Sequence, residues 1–182
     1  MDRTIGRRAA DVSIIDLASG ERTRVADRIN DAYLQASPGG RYLLYFHQDH
    51  YWTVNTVTLA AAQITKGAAT SFADRESDAT SPEKPAFGVA GWTKDDGSVL
   101  LYDKFDIWEA AADGSRVTRL TNGGVEQVRH RLVRLDPETE WIDTTRPVFV
   151  SLFGTWSKKS GYARLHPSSK RLERLIFEDR AV

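Results

Sequence analysis

Trp108-Glu109-Ala110-Ala111-Ala112-Asp113-Gly114-Ser115-Arg116-Val117-Thr118-Arg119-Leu120-Thr121-Asn122-Gly123 decides how this chain is read, because it repeats an earlier stretch that runs from Trp52 to Ile64-Thr65-Lys66-Gly67. In both, eleven residues separate the Trp from an aliphatic residue, a Thr follows at once and a Gly comes two positions later, all at an offset of 56. Four matches in one register are hard to obtain by chance, and self-similarity at a fixed period marks a repeat architecture. Upstream of each Trp a Gly-bearing turn leads into an apolar run. Ser37-Pro38-Gly39-Gly40-Arg41 precedes Tyr42-Leu43-Leu44-Tyr45-Phe46, and Lys94-Asp95-Asp96-Gly97-Ser98 precedes Val99-Leu100-Leu101-Tyr102. Runs of this length after a turn read as strands buried on both faces.

A third unit is looser. Residues 162–175 match 107–120 at an offset of 55, pairing Leu172 with Val117, Arg174 with Arg119 and Leu175 with Leu120, and Arg146-Pro147-Val148-Phe149-Val150 supplies the strand before it. Residues 12–25 repeat the strand, Gly turn, strand pattern without its upstream half. The approximate units are therefore 11–27, 33–67, 90–123 and 146–178, separated by long loops at 68–89 and 124–140. The second loop carries Val125, Val128, Leu132, Val133 and Leu135 among charges, which suits a short strand or a helical turn equally.

Each unit reads as turn, buried strand, polar turn, strand, tight turn, strand, with Asp113-Gly114 the strongest hairpin signal. Helix start and stop signals are scarce. Repeats of about 40–50 residues made of short antiparallel strands are expected to be β-propeller blades. The competing reading, a β-sandwich, does not require a repeated Trp-to-Gly register. The expected fold is all-β: about three whole four-stranded blades and one partial blade of an incomplete propeller, since closed propellers have about four to eight blades. An open stack leaves unpaired edges and an apolar face at each end, so the isolated chain is expected to self-associate or to be marginally stable.

Composition narrows the chemistry. Of 182 residues 41% are apolar and 27% charged, a globular balance. With 25 basic against 25 acidic side chains, no global field gathers polyanions, and nucleic acid is not expected as a partner. There is no cysteine, which removes disulfides, thiolate zinc sites and thiol nucleophiles, and suits either the cytoplasm or the periplasm. The longest apolar runs, 42–46 and 148–150, are too short to cross a bilayer, so a soluble chain without a membrane partner is expected. The first eight residues are basic but lack the apolar stretch of a signal peptide.

No Gly-x-Ser-x-Gly, no phosphate-cradling Gly-x-x-x-x-Gly-Lys-Ser/Thr and no Gly-x-Gly-x-x-Gly occurs. His47-x-x-His50 could offer two metal ligands; along a strand they point to opposite faces, at a turn they could converge, and no third ligand is recognisable. Lys158, Lys159, Arg164, Lys170, Arg171 and Arg174 cluster around Tyr162, as an anion surface or as the solvated face of a last hairpin. The neutral total charge favours the second. The acidic run Asp74-Arg75-Glu76-Ser77-Asp78, and Asp103 with Asp106, have no spacing that separates catalytic carboxylates from turn formers. Trp52, Trp92, Trp108, Trp141 and Trp156 could line a carbohydrate groove, but a Trp recurring within a blade is more simply a packing residue between sheets. No catalytic, cofactor-binding or metal-binding residue is assigned, and no cofactor is expected.

The longest informative stretch, Gly91-Trp92-Thr93-Lys94-Asp95-Asp96-Gly97-Ser98-Val99-Leu100-Leu101-Tyr102-Asp103-Lys104-Phe105-Asp106-Ile107-Trp108 with the later Asp113-Gly114-Ser115 and Leu120-Thr121-Asn122-Gly123, resembles a blade from the N-terminal β-propeller of bacterial prolyl oligopeptidase family serine peptidases. Residues 146–165 are similar to another segment of those propellers, and single blade motifs are shared with TolB-like propellers. The resemblance runs from about residue 11 to residue 179. It implies a partner, an α/β-hydrolase domain carrying a Ser-Asp-His triad, whose access to short peptides the propeller restricts. None of the triad's motif is present, so the resemblance implies a non-catalytic wall. The alternative it leaves is a stand-alone TolB-like module that binds protein or peptide.

Overall fold

The structure is a computed structural model that describes residues 10–29, 33–80 and 83–179. Strands β1 (Ala10–Ile15) and β2 (Arg22–Ile29) form a first, two-stranded antiparallel sheet. A second sheet runs in the order β3 (Gln35–Ala36), β4 (Tyr42–His47), β5 (His50–Asn55), β6 (Ala61–Gln63). The third repeats that order with β7 (Val89–Thr93), β8 (Ser98–Tyr102), β9 (Ile107–Ala111) and β10 (Val117–Arg119). In the fourth, β11 (Val128–Leu132) precedes β13 (Val148–Gly154), β14 (Ser160–His166) and β15 (Arg171–Glu178). The intervening β12 (Trp141–Ile142) returns to the third sheet and pairs parallel with β7. No α-helix occurs among the described residues, and no helix there is long and apolar enough to cross a membrane.

The sheets stack in chain order, each packed on the next, because their central strands are apolar on both faces. In β4, Leu44 and Phe46 face the third sheet, while Leu43 and Tyr45 face the first. In β8, Val99 and Leu101 face the second sheet and Leu100 faces the fourth. Alternation along a strand thus serves two seams at once, and every residue of these runs is spent on packing. The result is an all-β stack of propeller-type blades that does not close. Its last sheet exposes Phe153, Tyr162 and Ile176 on the side away from the third.

The repeated motif has a structural cause. Ile64 and Leu120 are buried plugs, and the following threonine hydroxyls, Thr65 and Thr121, accept the backbone N–H of Tyr51 and Ile107 at 3.1 and 3.0 Å. Each threonine thereby caps the start of a strand fourteen residues upstream. Trp52 and Trp108 both face the preceding sheet. Ala163 holds the corresponding position in the fourth sheet: it lies opposite Val150 and Arg174, as Trp108 lies opposite Leu101 and Arg119.

Residues 124–140, given as a long loop that suits a short strand or a helical turn equally, contain the strand β11, and a 3-10 turn, Gly123–Val125, introduces it. The fourth sheet therefore begins at Val128 rather than near residue 146. Val128-Arg129-His130-Arg131-Leu132 does alternate, but a histidine in an inward position hides the pattern from an apolar count.

Candidate functional site

The seam between the second and third sheets is closed along most of its length, with a cleft of about 340 Å³ at the edge between β3 and β7. Its core is a chain of edge-to-face rings, Phe46 on Tyr51, Tyr51 on Phe72 and Phe72 on Trp108, with centroids 4.9 to 6.0 Å apart. At one end the turn before β8 inserts the buried Asp96, whose carboxylate accepts the Ser37 hydroxyl at 2.6 Å and the N–H groups of Gly39 and Arg41 at 3.0 and 3.2 Å. Burial raises the Asp96 carboxyl, but these three donors and the Arg41 charge outweigh it and hold the group below the usual carboxylate range. At the other end Thr53 donates to the Ala112 carbonyl at 2.6 Å, and Gly114 comes so close to Ala62 that a Cβ there would sit 3.2 Å from the alanine methyl.

The seam between the third and fourth sheets is closed only in its middle, by Leu100, Ile107, Leu120, Val128, Val150, Leu152 and Leu165. Between the terminal strands β10 and β15 it opens into a groove of about 1050 Å³. Residues 117–122 form one wall, and Lys170, Leu172 and Arg174 the other; Glu126 and His130 complete the lining. The groove carries three cations, Arg119, Lys170 and Arg174, against one carboxylate, Glu126, which pairs with Arg174 at 2.7 Å. Among the described residues neither Arg119 nor Lys170 has an ion-pair partner.

His130 is the unusual member. It is buried on β11, its backbone N–H donates to the Phe105 carbonyl at 2.7 Å, and neither ring nitrogen has a hydrogen-bond partner within the described protein. Its Nδ1 stands 3.7 Å from Asp106 Oδ1, beyond hydrogen-bond range. Asp106 is already engaged by the Thr121 hydroxyl at 2.7 Å and by the N–H groups of Gly123 and Gly124 at 2.5 and 3.3 Å. Burial pushes the imidazole below its ordinary value; the carboxylates of Asp106 and Glu126 oppose this, and the charges of Arg174 and Arg131 add to it. A neutral imidazole offers one donor and one acceptor. Gly123 allows this packing, since a Cβ there would meet the Val128 carbonyl at 2.1 Å and the imidazole at 2.9 Å.

The other residues singled out in the sequence have structural partners. Asp103 accepts the Trp108 indole N–H at 2.8 Å and the Asp106 N–H at 2.5 Å. His47 and His50 face each other across a hairpin whose turn residues, Gln48 and Asp49, take positive φ. His50 meets the Thr65 hydroxyl at 3.2 Å and His47 lies 3.7 Å from Glu83. Among the described residues no three His, Cys, Asp or Glu side chains gather as a metal site. The acidic run is tied down by the pairs Arg75–Asp49 and Glu76–Lys104. Trp52 and Trp108 lie in different seams, while Trp141 and Trp156 are exposed.

The late basic cluster divides between two faces of the fourth sheet. Lys170 and Arg174 line the groove, whereas Arg164 and Lys158 lie over Phe149 and Phe153 on the open face, at 5.8 and 5.9 Å from the ring centroids. Arg129, opposite Phe153 in the β11–β13 ladder, lies over the same ring at 5.3 Å. Arg119 and His130 belong to the groove without having been indicated by the sequence; they come from a different sheet and from a strand hidden in an apparent loop.

No protein-family model matches the chain, and no curated protein matches it. Among solved structures it is similar to TolB from Acinetobacter baumannii, with 14% identity and a TM-score of 0.45 over 92% of this chain. It is also similar to an oligogalacturonate lyase in complex with manganese, with 11% identity and a TM-score of 0.37 over 93% of this chain. The chain spans 38% and 60% of the lengths of those two proteins.

Proposed function

We propose that this chain is a TolB-like propeller module that works by binding a peptide or protein partner and contributes no catalytic group of its own. The observation that carries this reading is how its carboxylates are used. Asp96, Asp103 and Asp106 are buried, and each accepts several hydrogen bonds that fix turns and strand ends, which leaves none poised toward open space as an acid, base or nucleophile would be. The accessible features are instead recognition surfaces: the Arg and aromatic face of the fourth sheet and the groove between β10 and β15. The purified full chain, incubated with a mixed peptide library, is expected to retain a subset of peptides and to cleave none. Turnover abolished by a serine-directed inhibitor would overturn the non-catalytic reading, and a library that passes through unretained would overturn the binding reading.

A finer reading follows from the resemblance of residues 91–108 to peptidase blades. In it the chain is the propeller part of a prolyl oligopeptidase-like serine peptidase, gating short peptides to an α/β-hydrolase domain. A reading frame continuing beyond Val182 with Gly-x-Ser-x-Gly followed by Asp and His supports it; a natural stop there with no hydrolase partner encoded nearby contradicts it. Under either reading the open face of the fourth sheet, with Phe153, Tyr162 and Ile176 at 37–41% exposure, is a surface for the neighbouring part of a larger assembly or for a second copy.

A further inference from the structure

We infer that the groove between β10 and β15 is a binding site for an extended, acidic peptide segment, with His130 as its buried anchor. The inference rests on the module being a peptide binder and assigns both the site and the ligand's chemistry. Three observations support it independently.

The first is charge. Arg119 and Lys170 line the groove without ion-pair partners among the described residues, and Arg174 spends only part of its five donors on Glu126. A protein with no net charge has concentrated unpaired cations here, which suits carboxylates.

The second is His130. A buried polar side chain with neither nitrogen bonded is a liability that native structures rarely keep without a use. It lines the groove, so a ligand group that reaches it supplies the missing partner. A carboxylate accepts from its N–H; a peptide N–H donates to its other nitrogen.

The third is shape. Both walls are the last strands of their sheets, so one backbone edge of each is unpaired within its sheet. An extended chain can bond such an edge directly. The strand part of this wall, β10, spans three residues, roughly 10 Å at about 3.3 Å per residue, room for the main chain of about three ligand residues. The neutral total charge supplies no extended field to gather a nucleic acid.

The test uses the full-length chain and two labelled peptides, acetyl-(Ser-Glu)3-amide and acetyl-(Ser-Gln)3-amide, read by fluorescence anisotropy, with inorganic phosphate and a dT oligonucleotide as competitors. The acidic peptide is expected to bind at least tenfold tighter than the neutral one, and Arg119→Glu with Lys170→Glu is expected to remove that preference. His130→Leu should weaken binding at least fivefold while leaving the urea midpoint unchanged or raised, a combination that a purely structural histidine would not give. If the acidic peptide binds but the groove variants do not respond, the site assignment is overturned and the module reading stands. If neutral peptides bind equally well, the acidic assignment falls alone. Displacement by phosphate at equal concentration, or by the oligonucleotide, overturns the peptide as ligand. If neither peptide binds, the groove assignment falls, and the module reading falls with it only if the mixed library also passes through unretained.

Discussion

The two seams that flank the third sheet are made by the same repeat and end in opposite conditions. Between the second and third sheets the packing is aromatic, the cleft at the β3–β7 edge holds only about 340 Å³, and the buried carboxylate of Asp96 has three donors. Between the third and fourth sheets the packing is aliphatic, one end gapes, and the buried imidazole of His130 has no partner. The position filled by Trp52 and Trp108 in the earlier seams holds Ala163 in this one, so a methyl stands where an indole fills the others. The contrast separates two uses of buried polarity. A satisfied group fixes how two blades meet, whereas an unsatisfied group buried beside an open seam keeps its bonding capacity for a ligand that displaces its cover.

That division can be broken most easily at the closed seam. Phe72 is fully buried among Tyr51 and Trp108, and Phe72→Ala is expected to lower stability by about 3–5 kcal/mol in urea unfolding. A loss under 1 kcal/mol would show that this seam is not the brace described. Asp96→Ala comes next, at about 2–3 kcal/mol, because it leaves the Ser37 hydroxyl and two backbone N–H groups without their acceptor.

A pH dependence accompanies it. The folded-state pKa of Asp96 lies below the ordinary 3.8, so its contribution is fully present above the unfolded value and is lost as pH falls through the folded one. The stability gap between wild type and Asp96→Asn should therefore be constant from about pH 5 upward and should shrink in acid below the ordinary carboxylate pKa. A gap that widens on acidification would contradict the hydrogen-bond account.

At the open end of the stack, Phe153→Glu combined with Ile176→Glu removes apolar surface that is exposed in the single chain. These substitutions are expected to reduce self-association in light scattering at a cost to stability within about 0.5 kcal/mol, as for other surface changes. His130→Leu is the variant expected to act in the opposite direction. Replacing a buried polar ring that has no partner by an apolar side chain is expected to change stability by between zero and about 1 kcal/mol in the favourable direction. A loss of 2 kcal/mol or more would mean that the imidazole braces the seam after all.

The blade pattern was legible because the repeated threonine and its aliphatic neighbour cap and plug each strand pair, and both duties demand particular residues at fixed separation. The groove was not. Arg119 and Lys170 come from two different sheets, and β11, which brings His130 between them, is short, carries two arginines and is centred on a histidine. The late basic cluster was visible, but not the side on which each residue falls. A bulge between Tyr162 and Ala163 inserts Leu175 opposite the step between them, so Leu172 and Arg174 face the third sheet while Ile176, in phase with them by simple alternation, faces outward. No count of alternate residues reveals such a shift.

The imidazole resonances of the full chain, followed by proton–carbon correlation NMR during titration with acetyl-(Ser-Glu)3-amide, test most directly whether the open seam is a site and the closed one a brace. His130 is expected to shift in a saturable way while His47 and His50, which lie away from the groove, stay in place. A stationary His130 in the presence of bound peptide, or shifts confined to His47 and His50, would contradict it.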